Sequence, residues 1–270
     1  MKSFIRSYSF WVIALVALFS GPETKAADWS TSDFQYRYGS NFNDNGATDG
    51  QRIAKHLVQF QNTTGFSLGR SYFFLLMSKA NDADGNSADL YSEGQVTLSL
   101  SKMSKHDLSW GIVRDLGITG GYNYGARNSA FRSNSRVLVF GGTIDLNVPY
   151  FNFLNLDVLA YRDAGTYGGY GGGFLCGRTA TSYQITPYWQ LPFNIGRARF
   201  MFDGYVDFIG AHGSCSSQIL AEPQLKLDVG DLFGYRDKFY IGVEVQYWRN
   251  KFGSAGVNEV VPQVVVQWKL

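Results

Sequence analysis

The chain has 270 residues, of which 45% are hydrophobic and 16% aromatic, and its 24 Lys and Arg residues nearly balance its 22 Asp and Glu residues. The formal net charge of +2 excludes the basic excess of a nucleic-acid-binding protein and the acidic tail of a solvating segment, and the hydrophobic content excludes a disordered chain. The mean hydropathy of −0.15 excludes a bundle of membrane-spanning helices, which leaves a β-sandwich, a soluble β-barrel or a membrane β-barrel.

The first 26 residues have the pattern of a secretory signal. Lys2 and Arg6 supply the positive start, residues 10–19 form an apolar stretch, and Thr24-Lys25-Ala26 offers a small-x-small cleavage site. A retained membrane anchor is the alternative, but a run of about ten apolar residues is too short to span a bilayer. We therefore expect residues 1–26 to be removed and residues 27–270 to form a single exported domain.

From residue 31 onward, short segments alternate between apolar and polar residues with a period of two. In residues 33–38 the aromatic side chains fall on one face and the polar ones on the other. Because successive side chains of a strand point to opposite faces, such segments predict two-faced β-strands. The pattern predicts twelve strands, at residues 31–38, 52–61, 69–77, 89–100, 113–124, 135–148, 152–162, 178–191, 197–209, 218–229, 238–249 and 259–270.

The connections between these strands are of two kinds that alternate along the chain. The loops rich in Gly, Asn, Asp and Ser are residues 39–51, 78–88, 125–134, 163–177, 210–217 and 250–258. The mostly tighter turns are residues 62–68, 101–112, 149–150, 192–196 and 230–237. A soluble sandwich can also alternate, but its strands usually have about five or six residues, and several strands here are longer. The pattern therefore predicts an all-β transmembrane antiparallel β-barrel with long extracellular loops and short periplasmic turns.

The last predicted strand carries Trp268 and Leu270 on its apolar face. It resembles the C-terminal strand that the outer-membrane assembly machinery recognises, although the usual last residue of that strand is Phe. We expect this machinery and outer-membrane lipid to be partners of the chain.

Several segments, taken in order, resemble one family of outer-membrane proteins. They are Asp28-Trp29-Ser30, residues 36–42 (YRYGSNF), residues 75–78 (LLMS), residues 208–211 (FIGA) and residues 243–253 (VEVQYWRNKFG). The family is the nucleoside-specific channel-forming (Tsx-like) porins, and the outer-membrane protein K branch is the most similar. The resemblance implies a monomeric barrel of twelve strands in the outer membrane of a Gram-negative bacterium. It also implies passage of nucleosides and deoxynucleosides, and use by phages as a receptor.

A barrel of twelve strands should enclose a narrow lumen whose shape depends on individual side chains. Aromatic rings could stack on a nucleobase, and ionisable or amide groups could bind the sugar. The lumen candidates are Arg37, Tyr38, Arg199, Asp203, Asp207, Lys226, Asp228, Glu244, Gln246 and Trp248. The family resemblance supports both Arg37 and Tyr38, but strict alternation puts only one of these neighbours inside.

Cys176 and Cys215 are the two cysteines of the chain. In an oxidising compartment such a pair is more often bridged than free, and the strand assignment puts both at the same end of the barrel. A disulfide between the fourth and fifth outer loops is therefore expected, with two unrelated free thiols as the alternative. Two cysteines without a CxxC motif indicate no metal site.

An outer-membrane phospholipase is a further alternative, because some barrels of this class use a serine and a histidine for catalysis. The histidines of this chain are His56, His106 and His212. None has a serine at a spacing that indicates a nucleophile and its base, so we expect no enzyme and no cofactor. The Gly-rich residues 167–174 lack the Lys and Ser or Thr of a phosphate-binding loop and indicate an extracellular loop instead. The expected function is a channel for nucleosides and similar small solutes. A non-conducting surface-recognition barrel is the alternative.

Overall fold

A computed structural model describes residues 27–43, 52–129, 131–169 and 171–270 of the chain. The expected signal at residues 1–26 lies outside the described residues. Within them, no helix has the length and apolar character needed to cross a membrane.

The described residues form twelve β-strands in chain order. Their bounds are β1 Trp29–Phe42, β2 Ile53–Phe66, β3 Gly69–Ala80, β4 Ala88–Ser99, β5 Val113–Arg127, β6 Arg136–Leu146, β7 Phe153–Asp163, β8 Ala180–Ile195, β9 Ala198–Ile209, β10 in two pieces (Gln218–Ala221 and Gln224–Asp228), β11 Phe239–Arg249 and β12 Glu259–Lys269. One α-helix, α1 (Leu100–Ser104), and three 3-10 turns (Asp82–Asp84, Gly230–Phe233 and Lys251–Gly253) lie in the connections.

The strands close into an antiparallel barrel. Each strand pairs with its sequence neighbours, and β1 pairs with β12 from Asp33↔Lys269 to Tyr38↔Val264, so no edge strand is left open. The structure thus confirms the predicted barrel of twelve antiparallel strands. We call the end where β1 begins, at Trp29, the turn end, and the end where β1 finishes, at Phe42, the loop end.

The tenth strand is interrupted at Glu222 and Pro223 but keeps its register. Ala221 pairs with Val206 on one side of the gap and Gln224 pairs with Asp203 on the other, so no residue is inserted. Pro223 has no N–H to donate to the ladder, which accounts for the interruption in a strand that the sequence predicts as continuous.

Two predicted turns are shorter in the structure than the sequence indicates. The second strand continues to Phe66 because polar side chains at the turn end bind across the ladder: Asn62 Nδ2 donates to Ser32 Oγ at 2.8 Å, and the Ser30 and Thr64 hydroxyls lie 3.0 Å apart. The eighth strand continues to Ile195, and the turn to β9 is made at Gly196, whose φ of +60° glycine adopts without strain.

Side-chain burial in this barrel is the reverse of that in a soluble protein. On β1 the side chains of Asp33, Gln35 and Arg37 are buried inside, whereas Phe34 and Tyr36 are 43% and 41% exposed on the outside. Among the described residues, buried apolar side chains cluster in two small groups, one around Ile53 and Val261 and the other around Val137 and Leu159. The interior is therefore mainly polar and the outer surface mainly apolar.

Candidate functional site

The described part of the barrel encloses a cavity of about 790 Å³. Its wall runs from Trp29 and Lys269 near the turn end to Phe42 and Lys251 near the loop end. The lining is rich in charged, amide and tyrosine side chains, because alternate residues of a β-strand point to the same face. The cavity thus has the length and polarity of a route through the barrel.

A buried ion pair joins β1 to β11 at mid-height. Arg37 Nη1 donates to Glu244 Oε2 at 2.5 Å, and its Nη2 donates to Gln59 Oε1 at 2.6 Å. Glu244 is fully buried and also accepts from Gln224 Nε2 at 2.6 Å and from Gln263 Nε2 at 2.7 Å. This network fixes the wall formed by β1, β2, β10, β11 and β12.

A second ion pair crosses the lumen nearer the turn end. Arg70 on β3 donates to both carboxylate oxygens of Asp145 on β6, at 2.7 and 2.8 Å, and to the hydroxyl of Tyr188 on β8 at 3.0 Å. Paired donors on a carboxylate fix the guanidinium in one orientation. Arg70 therefore narrows the lumen at this level.

Three carboxylates come together around the middle of the lumen. Glu93 on β4 is close enough to interact electrostatically with Asp207 on β9 and Glu222 on β10. The Tyr91 hydroxyl donates to Glu93 at 2.5 Å, and the Thr186 hydroxyl donates to Asp207 at 2.5 Å. Because β4 and β10 lie on opposite sides of a ring of twelve strands, side chains from both walls approach one another here, and we call this level of the lumen the constriction.

Eight of the ten sequence-predicted candidates divide into two groups. Those that line the cavity are Arg37, Asp203, Asp207, Gln246 and Trp248. Lys226, Asp228 and Glu244 are buried on the inner face without lining the cavity. Asp228 accepts the backbone N–H groups of Asp231 and Asp237, so its carboxylate orders the turn after β10.

Of the two remaining candidates, Arg199 has the inward parity of Asp203 and Asp207, whereas the expectation that Tyr38 faces the lumen is wrong. Arg199 lies at the turn end because it is the second residue of β9, and its Nη2 is 3.2 Å from Asp237 and its Nε 3.8 Å from Asp228. Tyr38 points outward, is 39% exposed and packs its ring 4.9 Å from that of His56. No bulge intervenes between Asp33 and Tyr38, so strict alternation holds and Arg37 is the inward member of the pair.

Several residues that line the lumen are not among the candidates predicted from the sequence. Glu93, Tyr205 and Glu222 all line the cavity. The parity of β9 that places Asp203 and Asp207 inside also places Tyr205 there, and the parity of β10 that places Gln224 inside extends back to Glu222. Alternation could therefore have identified these residues. The meeting of Glu93 with the opposite wall follows only from the closed barrel.

The two cysteines form a disulfide at the loop end. The Sγ atoms of Cys176 and Cys215 are 2.04 Å apart, which joins the β7–β8 loop to the β9–β10 loop. The ring of His212 lies beside them, but sulfur atoms bonded to each other do not offer the thiolates that bind a metal ion.

The other two histidines lie on other elements of the fold. His56 is on the outer face, with its Nδ1 2.7 Å from the Tyr36 hydroxyl, and His106 follows α1 at the turn end. His212 is buried, with its Nδ1 2.9 Å from the carbonyl oxygen of Gly210.

Comparison with protein-family models finds no match, and comparison with the curated proteins finds none either. Among solved structures the chain is similar to the KdgM porin, with 11% identity, a TM-score of 0.43 and coverage of 89% of this chain and 98% of that chain. It is also similar to the translocator domain of the autotransporter NalP from Neisseria meningitidis, with 11% identity, a TM-score of 0.38 and coverage of 97% and 95%. For Salmonella typhi OmpF in complex with daunomycin the identity is 8%, the TM-score 0.37 and the coverage 90% and 97%. Likenesses of this degree assign no substrate.

Proposed function

We propose that the protein is a channel of the bacterial outer membrane that passes small solutes, nucleosides among them, through its lumen. The observation that carries this proposal is the inverted polarity of the barrel. Apolar side chains cover the outside and polar side chains line a cavity that runs from one end to the other. In water, the large apolar outer surface of the barrel would be exposed to solvent, which is unfavourable. In a membrane, lipid contacts the apolar outer surface and water contacts the polar lumen.

The charged residues on the outer face support the same placement. Lys79, Arg136, Arg162 and Arg249 are exposed, and each lies at or next to the loop-end terminus of its strand. A band without these charges remains around the middle of the barrel. Lipid tails need such a band, because lysine and arginine at the bilayer midplane cost roughly 2–4 kcal/mol each.

Nucleosides are proposed as solutes because of the family resemblance of the sequence together with the side chains near the loop-end mouth. Trp248 lines the cavity, its Nε1 donates to Gln218 Oε1 at 3.3 Å, and the ring of Phe252 packs edge-on at 4.8 Å. Gln246 lies two residues before Trp248 on the same strand, so its side chain points to the same face. An aromatic ring beside amide groups offers stacking to a base and hydrogen bonds to a sugar.

Nucleoside block of the ion current through the refolded protein in a planar bilayer tests this proposal. Adenosine should block reversibly and saturably, and Trp248→Ala should weaken the block by roughly five- to 150-fold, because base stacking contributes about 1–3 kcal/mol. The matched control is Tyr247→Ala, which removes the neighbouring aromatic ring from the outer face.

Two results would contradict the proposal. A current that adenosine and thymidine leave unchanged would remove nucleosides from the list of solutes and leave the channel. The absence of any current would favour a recognition barrel whose lumen does not conduct.

A further inference from the structure

The constriction brings together three carboxylates, those of Glu93, Asp207 and Glu222, with one guanidinium, that of Arg37, 3.6 Å from Glu222. Four other carboxylates on the inner face each have a cation within 3 Å: Asp145 with Arg70 at 2.7 Å, Asp203 with Lys226 at 2.9 Å, Glu244 with Arg37 at 2.5 Å and Glu259 with Lys251 at 2.7 Å. Within the described residues, neither Glu93 nor Asp207 forms a salt bridge, and their hydrogen-bond donors are hydroxyl and amide groups.

Glu222 is only partly compensated. Its carboxylate lies 3.6 Å from Arg37 Nη1, but the same nitrogen is 2.5 Å from Glu244. One guanidinium thus serves two carboxylates, and the site retains a negative excess. A carboxylate excess in a narrow, weakly solvated passage attracts cations and repels anions.

A separate observation indicates that a hydrogen-bond donor belongs at this place. Gln184 is 4% exposed and lines the cavity, and its Nε2 donates to Thr186 at 2.9 Å and to Asp207 at 3.0 Å. Its Oε1 is buried and accepts no hydrogen bond from the described residues. A buried acceptor without a donor is unfavourable, and a ligand that donates would satisfy it.

Tyrosine rings complete the site. Tyr91, Tyr161 and Tyr205 line the cavity, and each lies close enough to Glu93 and Asp207 to interact with their charges. The faces of aromatic rings attract cations, most strongly where water is partly excluded. The site therefore combines carboxylates, an amide oxygen without a donor and aromatic rings. A small cation that carries several N–H donors could bind all three kinds of group.

We propose that this constriction makes the channel cation-selective and binds small solutes that carry a protonated primary amine. The proposal rests on the proposed function, because selectivity presupposes conduction. An ammonium group would donate to Asp207, Glu93 and Gln184 Oε1, with the tyrosine rings around it. Binding must stay weak enough for release, as in any conducting pore.

Reversal potentials in a KCl gradient test the selectivity, with ethanolammonium and uncharged ethylene glycol as the binding probes. The wild-type channel should prefer K⁺ to Cl⁻, and ethanolammonium should block its current while ethylene glycol does not. The variant E93Q/D207N/E222Q should lower the ratio of K⁺ to Cl⁻ permeability by about tenfold or more and abolish the block. The matched control is Asp33→Asn, which neutralises a lumen carboxylate near the turn end whose donors among the described residues are the amide groups of Gln35 and Gln61.

The outcomes separate the two proposals. No current from the wild-type protein would overturn the channel function itself. A current without cation preference, or a triple variant with unchanged selectivity and unchanged block, would overturn this inference and leave the channel. Should the triple variant fail to insert, the single variant E93Q must still lower both the cation preference and the block, and its failure to do so would refute the site.

Discussion

Removing the guanidinium of Arg37 should destabilise the barrel strongly. The carboxylate of Glu244 is 0% exposed, and Arg37 is its cationic partner at 2.5 Å. Two amide groups, from Gln224 and Gln263, also donate to it, but they carry no charge. Arg37→Met keeps much of the side-chain volume and leaves this carboxylate buried without a cation.

The expected loss follows from the geometry. Breaking a buried ion pair by removing one partner costs about 3–5 kcal/mol, which is roughly two to four orders of magnitude in the unfolding equilibrium. Glu244→Gln on its own leaves a buried guanidinium without its closest carboxylate, with Glu222 still 3.6 Å from Nη1, so its cost should be smaller. The double variant R37M/E244Q removes both charges, and its cost should fall below the sum of the single costs by about 0.5–3 kcal/mol.

Urea unfolding of the protein in lipid vesicles, followed by tryptophan fluorescence, measures these differences. Tyr38→Phe is the control, because it alters the neighbouring residue on the outer face and leaves the network intact. A loss below about 1 kcal/mol for Arg37→Met, or strictly additive costs in the double variant, would refute the reasoning, since a solvated pair behaves in that way.

Three further predictions concern the loops, the wall and the width of the lumen. The cysteines of the disulfide Cys176–Cys215 are 39 residues apart in sequence, so reduction should lower the free energy of unfolding by up to about 4 kcal/mol. Thiol titration of the unreduced protein should find no free thiol, and two free thiols would contradict the disulfide. Gly141→Ala should impair folding, because the added Cβ would lie 2.2 Å from a backbone oxygen. The adjacent Gly142→Ala is the control and should fold normally, because the atom nearest to its Cβ would be 3.7 Å away. Heat-modifiable mobility on a gel measures folding, and equal behaviour of the two variants would contradict the packing. Arg70→Ala removes the side chain that crosses the lumen and should raise single-channel conductance, and an unchanged conductance would place the narrowest point elsewhere.

The positions of the strands could be read from the sequence because alternation is a local property. Each predicted strand overlaps a strand of the structure, and the errors lie at the ends, as at Phe66 and Ile195. There the polar residues and the proline that suggested turns remain in the ladder. Their cross-strand partners, such as Ser32 for Asn62, are remote in sequence and carry no local signal.

The inner face of each strand was equally readable, but the roles of the inner residues were not. Parity places Glu244 and Asp207 on the same wall surface, yet one is buried in an ion pair with Arg37 and the other lines the cavity. That difference depends on which side chains reach across from other strands. Glu93 interacts electrostatically with carboxylates of the opposite wall, and Arg70 binds side chains of β6 and β8. Only closure of the sheet brings these groups together.

Ionic conductance of the purified, refolded protein in a planar lipid bilayer tests the central claim most directly. A route lined by polar side chains from Trp29 to Phe42 should give discrete, reproducible single-channel steps in KCl. Protein that inserts into the bilayer, with its barrel intact by heat-modifiable mobility, but passes no ions would contradict the claim that this barrel is a channel.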